Sequence, residues 1–188
     1  MSHGRSLPIG PLMRLPRARA QEGFGLIELL MAMTILNIGL LAIVAAFNSG
    51  AVAIRRASRI STASALADSQ MELYRALTYT SIALDSTALG TVDNTYKCDS
   101  ALGSSCPNST TSEITTTCTG SPVPRQCSAS QAVTGADRHR YRVDTYIVQQ
   151  SPPSGRALKL VTVVVRDYLN PSLRPYARES STFDQSTG

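Results

Sequence analysis

The sequence predicts an α+β fold, with one long N-terminal helix packed on a small antiparallel β-sheet. Three observations carry this. Residues 24–54 form an apolar run whose one ionisable side chain is Glu28. Residues 55–84 lack Gly and Pro and repeat apolar positions every three or four residues. Beyond residue 140, apolar and alternating segments separated by Pro, Gly and Asn read as strands. Strands gathered after a helix, rather than alternating with helices, give α+β rather than α/β.

The first 23 residues stand apart. They hold Arg5, Arg14, Arg17 and Arg19 against Glu22, with Pro8, Pro11 and Pro16 among them, and read as an unfolded basic leader. The chain as a whole has 188 residues and a formal charge of +5. Without the leader, 18 basic and 13 acidic residues fall to 14 and 12, a net +2. That excess is too small to argue a nucleic-acid binder.

The apolar run has about 31 residues, roughly 46 Å of helix at 1.5 Å per residue, where about 20 residues cross a bilayer. A cleavable secretory segment is shorter, although Ala51, Val52 and Ala53 match an A-x-A cleavage site. Glu28 within such a run costs about 2.5–3.5 kcal/mol on insertion scales, so it calls for a role. Gly39 and Gly50 are weak helix formers, and Asn37 and Asn48 are polar positions able to bond between helices. Arg55, Arg56 and Arg59 mark the exit from lipid.

Gly23, Phe24, Leu26, Ile27 and Glu28 together resemble the type IV prepilin signal, usually written G-F-T-L-I-E. Gly25 replaces the usual threonine, and Glu22 stands where a basic residue is frequent. The resemblance implies that prepilin peptidase cuts after Gly23 and methylates the new amino terminus on Phe24. The apolar segment is retained. The products are a leader of residues 1–23 and a transmembrane and assembly helix of residues 24–54. A positive amine on Phe24 lies one helical turn from Glu28. Its partner is Glu28 of the same chain or of a neighbouring subunit, where a buried ion pair sets register. The alternative is that Glu28 lies at the interface and reaches water.

Ile60, Ala63, Ala67, Met71, Tyr74 and Leu77 form one apolar stripe, with Asp68, Glu72 and Arg75 off it. One helix is therefore expected from about Phe24 to about Tyr79, amphipathic in the part covered by residues 55–84. No proline falls between Pro16 and Pro107, unlike many major pilins. The segment containing Ala65, Leu66, Ala67, Glu72, Leu73, Tyr74 and Arg75 resembles minor pilins of the PilV-like group.

Residues 85–136 are rich in Ser, Thr, Gly and Asn and read as a long irregular loop with a short strand near residues 113–117. Cys98, Cys106, Cys118 and Cys127 are spaced 8, 12 and 9 apart with no C-x₂-C pair, which argues against zinc. Of three possible connectivities we expect neighbour pairing, Cys98 with Cys106 and Cys118 with Cys127, in an oxidising compartment. The alternative is reduced, buried thiols. Asn108, Ser109 and Thr110 match a glycosylation sequon, read here as a chance match.

Arg140–Gln150 alternates as a strand, with Tyr141, Val143, Thr145 and Ile147 on one face. Residues 158–168 are apolar on both faces and read as a central strand. Residues 176–183 add a third. The prepilin resemblance and the cysteines imply that residues 85–188, with their C-terminal sheet, form an extracytoplasmic region. No cofactor, metal or catalytic constellation is expected: His3 lies in the leader and His139 is alone, and no nucleophile, zinc or phosphate-loop motif occurs. Arg138, Arg140 and Arg142 are expected to share one strand face, a solvated face rather than a DNA contact.

Taken with the resemblance, the expectation is a non-enzymatic minor pilin-like subunit. It is inserted once in the cytoplasmic membrane and then assembled into an extracellular type IV pilus with other pilin subunits and the pilus assembly platform. The alternatives are a pseudopilin of a type II-like secretion system, or a membrane-anchored extracytoplasmic binding domain that does not polymerise.

Overall fold

The computed structural model describes residues 25–151 and 155–185. The chain divides into two compact units, Met1–Asn48 and Ser49–Gly188. Helix α1 (Leu26–Arg75) opens the described chain and is long and apolar enough to cross a membrane. In the first unit every described residue is exposed.

In the second unit, α1 buries Ala63, Ala67, Gln70, Met71 and Tyr74. The predicted stripe is thus largely the packed face, with two differences. Ile60 remains 41% exposed, and Gln70 is fully buried. The helix stops at Arg75, before the expected Tyr79. Leu77 N–H already bonds back only three residues, to Tyr74 O. The next turn, Tyr79–Ser81, is a 3-10 turn in which Thr78 Oγ1 lies 2.9 Å from Ser81 Oγ. Hydroxyls bonding locally compete with helix continuation. Lys159 Nζ fixes this turn by donating to Tyr79 O at 2.7 Å and Ile82 O at 2.8 Å.

The segment expected to be one irregular loop contains structure. Strand β1 (Leu84–Asp85) leads into α2 (Ser86–Gly90), and α3 (Asn94–Lys97) follows. Asp85 and Asp93 are the N-caps, accepting from Ala88 N–H and Tyr96 N–H at 2.8 and 3.0 Å. Strand β2 (Thr115–Thr116) pairs parallel with β1.

The main sheet has four antiparallel strands in the order β3 (Ser130–Thr134), β4 (Arg140–Gln150), β5 (Leu158–Asp167) and β6 (Ala177–Phe183). It is a meander, as expected, with β3 as an additional strand. Register sets the faces. Val143 pairs with Val165, Thr145 with Val163, and Ile147 with Val161. This face carries Tyr141 and meets α1, whose Tyr74 is also in the core. Arg142 pairs with Arg166 and Tyr146 with Thr162 on the opposite face. That face is covered by α3 and its flanking residues, so β4 is buried on both sides over Val143, Asp144, Thr145, Tyr146 and Ile147. Gly135, entering the β3–β4 turn, permits close approach to α1: a Cβ there would lie 2.6 Å from the Thr62 methyl.

Candidate functional site

The N-terminal segment begins, within the described residues, at Gly25. Its carbonyl accepts from Glu28 N–H at 2.9 Å and Leu29 N–H at 3.2 Å, starting α1. Glu28 occupies the first helical turn, where the N-terminal end of the helix dipole favours an acid. Its side chain is exposed and has no partner among the described residues. Gly23 and Phe24 lie outside the described residues.

From Leu26 to Ile54, large apolar side chains are exposed on all sides of α1: Ile27 is 69% exposed, Leu36 62% and Phe47 76%. Among the described residues nothing covers this surface, and lipid or other apolar helices are what it suits. Asn37 Nδ2 donates to Met33 O at 2.9 Å, so its amide is used within its own helix rather than offered to a neighbour. Thr34 Oγ1 likewise donates to Met31 O at 2.8 Å. An apolar helix whose Thr34 and Asn37 side chains bond within it, with a single acid near its start, is a structure for insertion and lateral packing.

Residues 18–44 match the family described as the prokaryotic N-terminal methylation motif. The chain carries that motif. It covers the basic leader end, the acid and the first turns of α1. With α1 packed on an antiparallel sheet, the N-terminal methylation motif supports a type IV pilin-like protein anchored in a membrane. It implies processing by prepilin peptidase and assembly with other pilins. No curated protein and no solved structure matches the chain.

The second unit explains the other residues singled out in the sequence. Disulfides join Cys98 to Cys106 and Cys118 to Cys127. Asn108 braces the first of these loops, its amide donating to Ser105 O at 2.6 Å and Lys97 O at 3.1 Å. The side chain of the sequon asparagine is therefore engaged internally.

The three arginines near β4 do not form a common face. Arg138 lies in the β3–β4 turn at φ 63°, outside the strand. Arg140 lies over the Tyr168 ring, 3.9 Å from its centroid. Arg142 is taken up by two acids, with Asp93 at 2.5 Å and Asp144 at 2.7 Å. The guanidinium of Arg142 holds Asp93 down to about 2. Burial pushes the Asp144 carboxyl up, against the pull of Arg142 and Arg166.

The sequence did not disclose the continuation of this network. Asp144 Oδ2 lies 3.5 Å from Arg166 Nε, Arg166 pairs with buried Asp99, and Arg178 donates to both Asp99 oxygens at 2.7 Å. These alternating charges join α3, β4, β5 and β6. His139 Nε2 lies 2.9 Å from Asp167 Oδ2, which also accepts from the Tyr176 hydroxyl at 3.2 Å. Among the described residues no group of three or more His, Cys, Asp or Glu side chains is placed to hold a metal ion.

Proposed function

We propose that the chain is a minor structural subunit of a type IV pilus, without enzymatic activity. It enters the cytoplasmic membrane through α1, is cut after Gly23, is methylated on Phe24 and joins the filament by packing its exposed apolar helix among those of other subunits. The observation that carries this reading is the coincidence of the methylation motif at residues 18–44 with a helix apolar on every face. Glu28 is the assembly charge: unpaired within its own chain among the described residues, it suits the terminal amine of a neighbouring subunit. Subunits joined head to tail without closure form a helical filament. The minor rank rests on the likeness of residues 55–77 to PilV-like minor pilins, and the role proposed for it is initiation or modification of the pilus.

The test is mass spectrometry of the mature chain from cells and from sheared filaments. A terminus at methylated Phe24, in filaments and far below the bulk subunit in amount, is expected. An intact Met1 or a start at Ile54 overturns processing, and parity with the bulk subunit overturns the minor rank.

A further inference from the structure

The end of the Ser49–Gly188 unit at which the chain enters is both basic and apolar. Arg55 and Arg56 on α1, Arg138 in the β3–β4 turn and Arg174 in the β5–β6 loop are exposed. None of their guanidinium groups has a hydrogen bond or ion pair among the described residues. The nearby acids direct their oxygens to other groups. Asp137 accepts from the Tyr141 hydroxyl at 2.6 Å and from His139 N–H at 3.1 Å. Asp167 is engaged by His139 and Tyr176 and by the N–H groups of Leu169 and Asn170. The same β5–β6 loop exposes Leu169 and Leu173, at 78% and 61%.

The fold brings the β3–β4 turn and the end of the β5–β6 loop to α1. A groove of about 410 Å³ is lined by Val52, Arg55, Arg56, Arg59 and Tyr176, which places the end of the β5–β6 loop beside α1. A second groove joins Arg55 and Arg59 to Arg138 and His139. Residues 26–54 of the helix run roughly 43 Å at 1.5 Å per residue, about the thickness of a bilayer with its headgroups. Arg55 is then the first charge to reach headgroup level.

We propose that this end of the folded region docks on the membrane surface. The four free arginines take the phosphates of anionic phospholipids, and Leu169 and Leu173 enter the apolar boundary. The proposal rests on the membrane-anchored reading of α1. Nucleic acid offers the same phosphate, but exposed leucines beside free arginines suit a lipid interface, where long cationic side chains and apolar residues sit together. Each arginine near an anionic surface favours the docked orientation roughly fivefold. Such docking holds the region against the bilayer until the subunit is drawn into a filament.

The chain has no tryptophan, so one introduced residue reports alone. Full-length Leu169→Trp and, separately, Phe47→Trp are reconstituted in vesicles of brominated phosphatidylcholine, with or without a share of phosphatidylglycerol. Phe47→Trp is expected to be quenched in both, which reports anchoring. Leu169→Trp is expected to be quenched and blue-shifted only with the anionic lipid, and to lose most of that response when Arg55→Glu and Arg56→Glu are added. If Phe47→Trp is quenched while Leu169→Trp stays equally open to aqueous acrylamide in both vesicles, docking is overturned and anchoring stands. If Phe47→Trp is unquenched, anchoring fails and docking fails with it.

Discussion

The Tyr96 ring stacks on the Tyr146 ring with centroids 4.3 Å apart and planes inclined by 28°. Fifty residues separate these side chains in sequence, and the stack fastens α3 to the sheet face opposite α1. The Tyr96 hydroxyl extends the attachment. It lies 2.6 Å from Thr145 O and 2.6 Å from Glu113 Oε1. A phenol has one proton, so it cannot donate to both at once. Protonated Glu113 satisfies the pair by donating to the Tyr96 oxygen while Tyr96 donates to Thr145 O. Burial pushes the Glu113 carboxyl up to about 7, in keeping with that arrangement.

Tyr96→Phe should therefore lower stability by about 1–3 kcal/mol, because it strands a buried acid and a buried carbonyl. Tyr96→Ala should cost about 3–5 kcal/mol, since the stacked ring is lost as well. Urea unfolding of the detergent-solubilised chain, followed by tyrosine fluorescence, measures both. Equal stability of wild type and Tyr96→Phe would show that the hydroxyl contributes nothing.

The same carboxyl sets a pH dependence. Its folded pKa is raised from 4.5 to about 7, so between these values the folded state holds the proton that the unfolded state releases. Its contribution is full below about pH 4.5 and is lost as pH rises through about 7, a change of roughly 3 kcal/mol. Asp93 works in the opposite direction. Lowered from 3.8 to about 2 by Arg142, it stabilises above pH 3.8, and that contribution is lost as pH falls toward 2. Glu113→Gln should flatten the decline between pH 4.5 and 7 in unfolding midpoints and leave the acid limb unchanged. An unaltered decline in that variant removes Glu113 as its source.

Asp99 is buried and paired to Arg166 and Arg178. Asp99→Ala leaves Arg166 facing the interior without its main partner. The loss expected is about 3–5 kcal/mol, as for breaking one side of a buried pair. Arg178→Ala should be milder, because Arg178 is 35% exposed and water replaces its bonds. Chemical denaturation of the two variants gives the order, and the reverse order contradicts the placement of the charges.

Glu28→Ala removes the acid from the apolar segment. Membrane insertion should be unimpaired or improved, by less than the helix-centre penalty because Glu28 lies in the first turn of α1. Recovery of the subunit in sheared filaments should fall at least severalfold. Quantitative immunoblots of membrane and filament fractions test this, and unchanged recovery withdraws the assembly role of Glu28.

What was legible in the sequence follows what periodicity can encode. Strands β4 and β5 were readable because Tyr141, Val143, Thr145 and Ile147 alternate and Val161, Val163, Val164 and Val165 are continuously apolar. The packed face of α1 was readable from Ala63, Ala67, Met71 and Tyr74, but Gln70 was not. A buried glutamine is stable there because its amide donates to Arg125 O at 3.0 Å and its oxygen accepts from Gln131 Nε2 at 2.9 Å, partners 55 and 61 residues away. Strand β3 is only five residues long, half-buried and without strong alternation, so pairing with β4 defines it more than its composition does. The short helices α2 and α3 had a signal in Asp85 and Asp93, each a cap residue three positions before the amide it accepts from. The charge network joins residues far apart in the chain, and local pattern carries no information on such contacts. In the N-terminal segment the motif itself was the legible feature, because membrane insertion and processing act on a contiguous stretch.

Each disulfide closes a small loop with an exposed tip, held in the first loop only by the Asn108 amide. Cys98–Cys106 encloses exposed Gly103, Ser104 and Ser105, while Cys118–Cys127 encloses exposed Thr119, Gly120 and Ser121. Inserting foreign residues at such tips disturbs neither a core side chain nor a sheet bond. The two loops are therefore natural graft points: a peptide epitope or affinity tag spliced at Ser104 or Thr119 would stand in solvent, held at its base by a disulfide already in place.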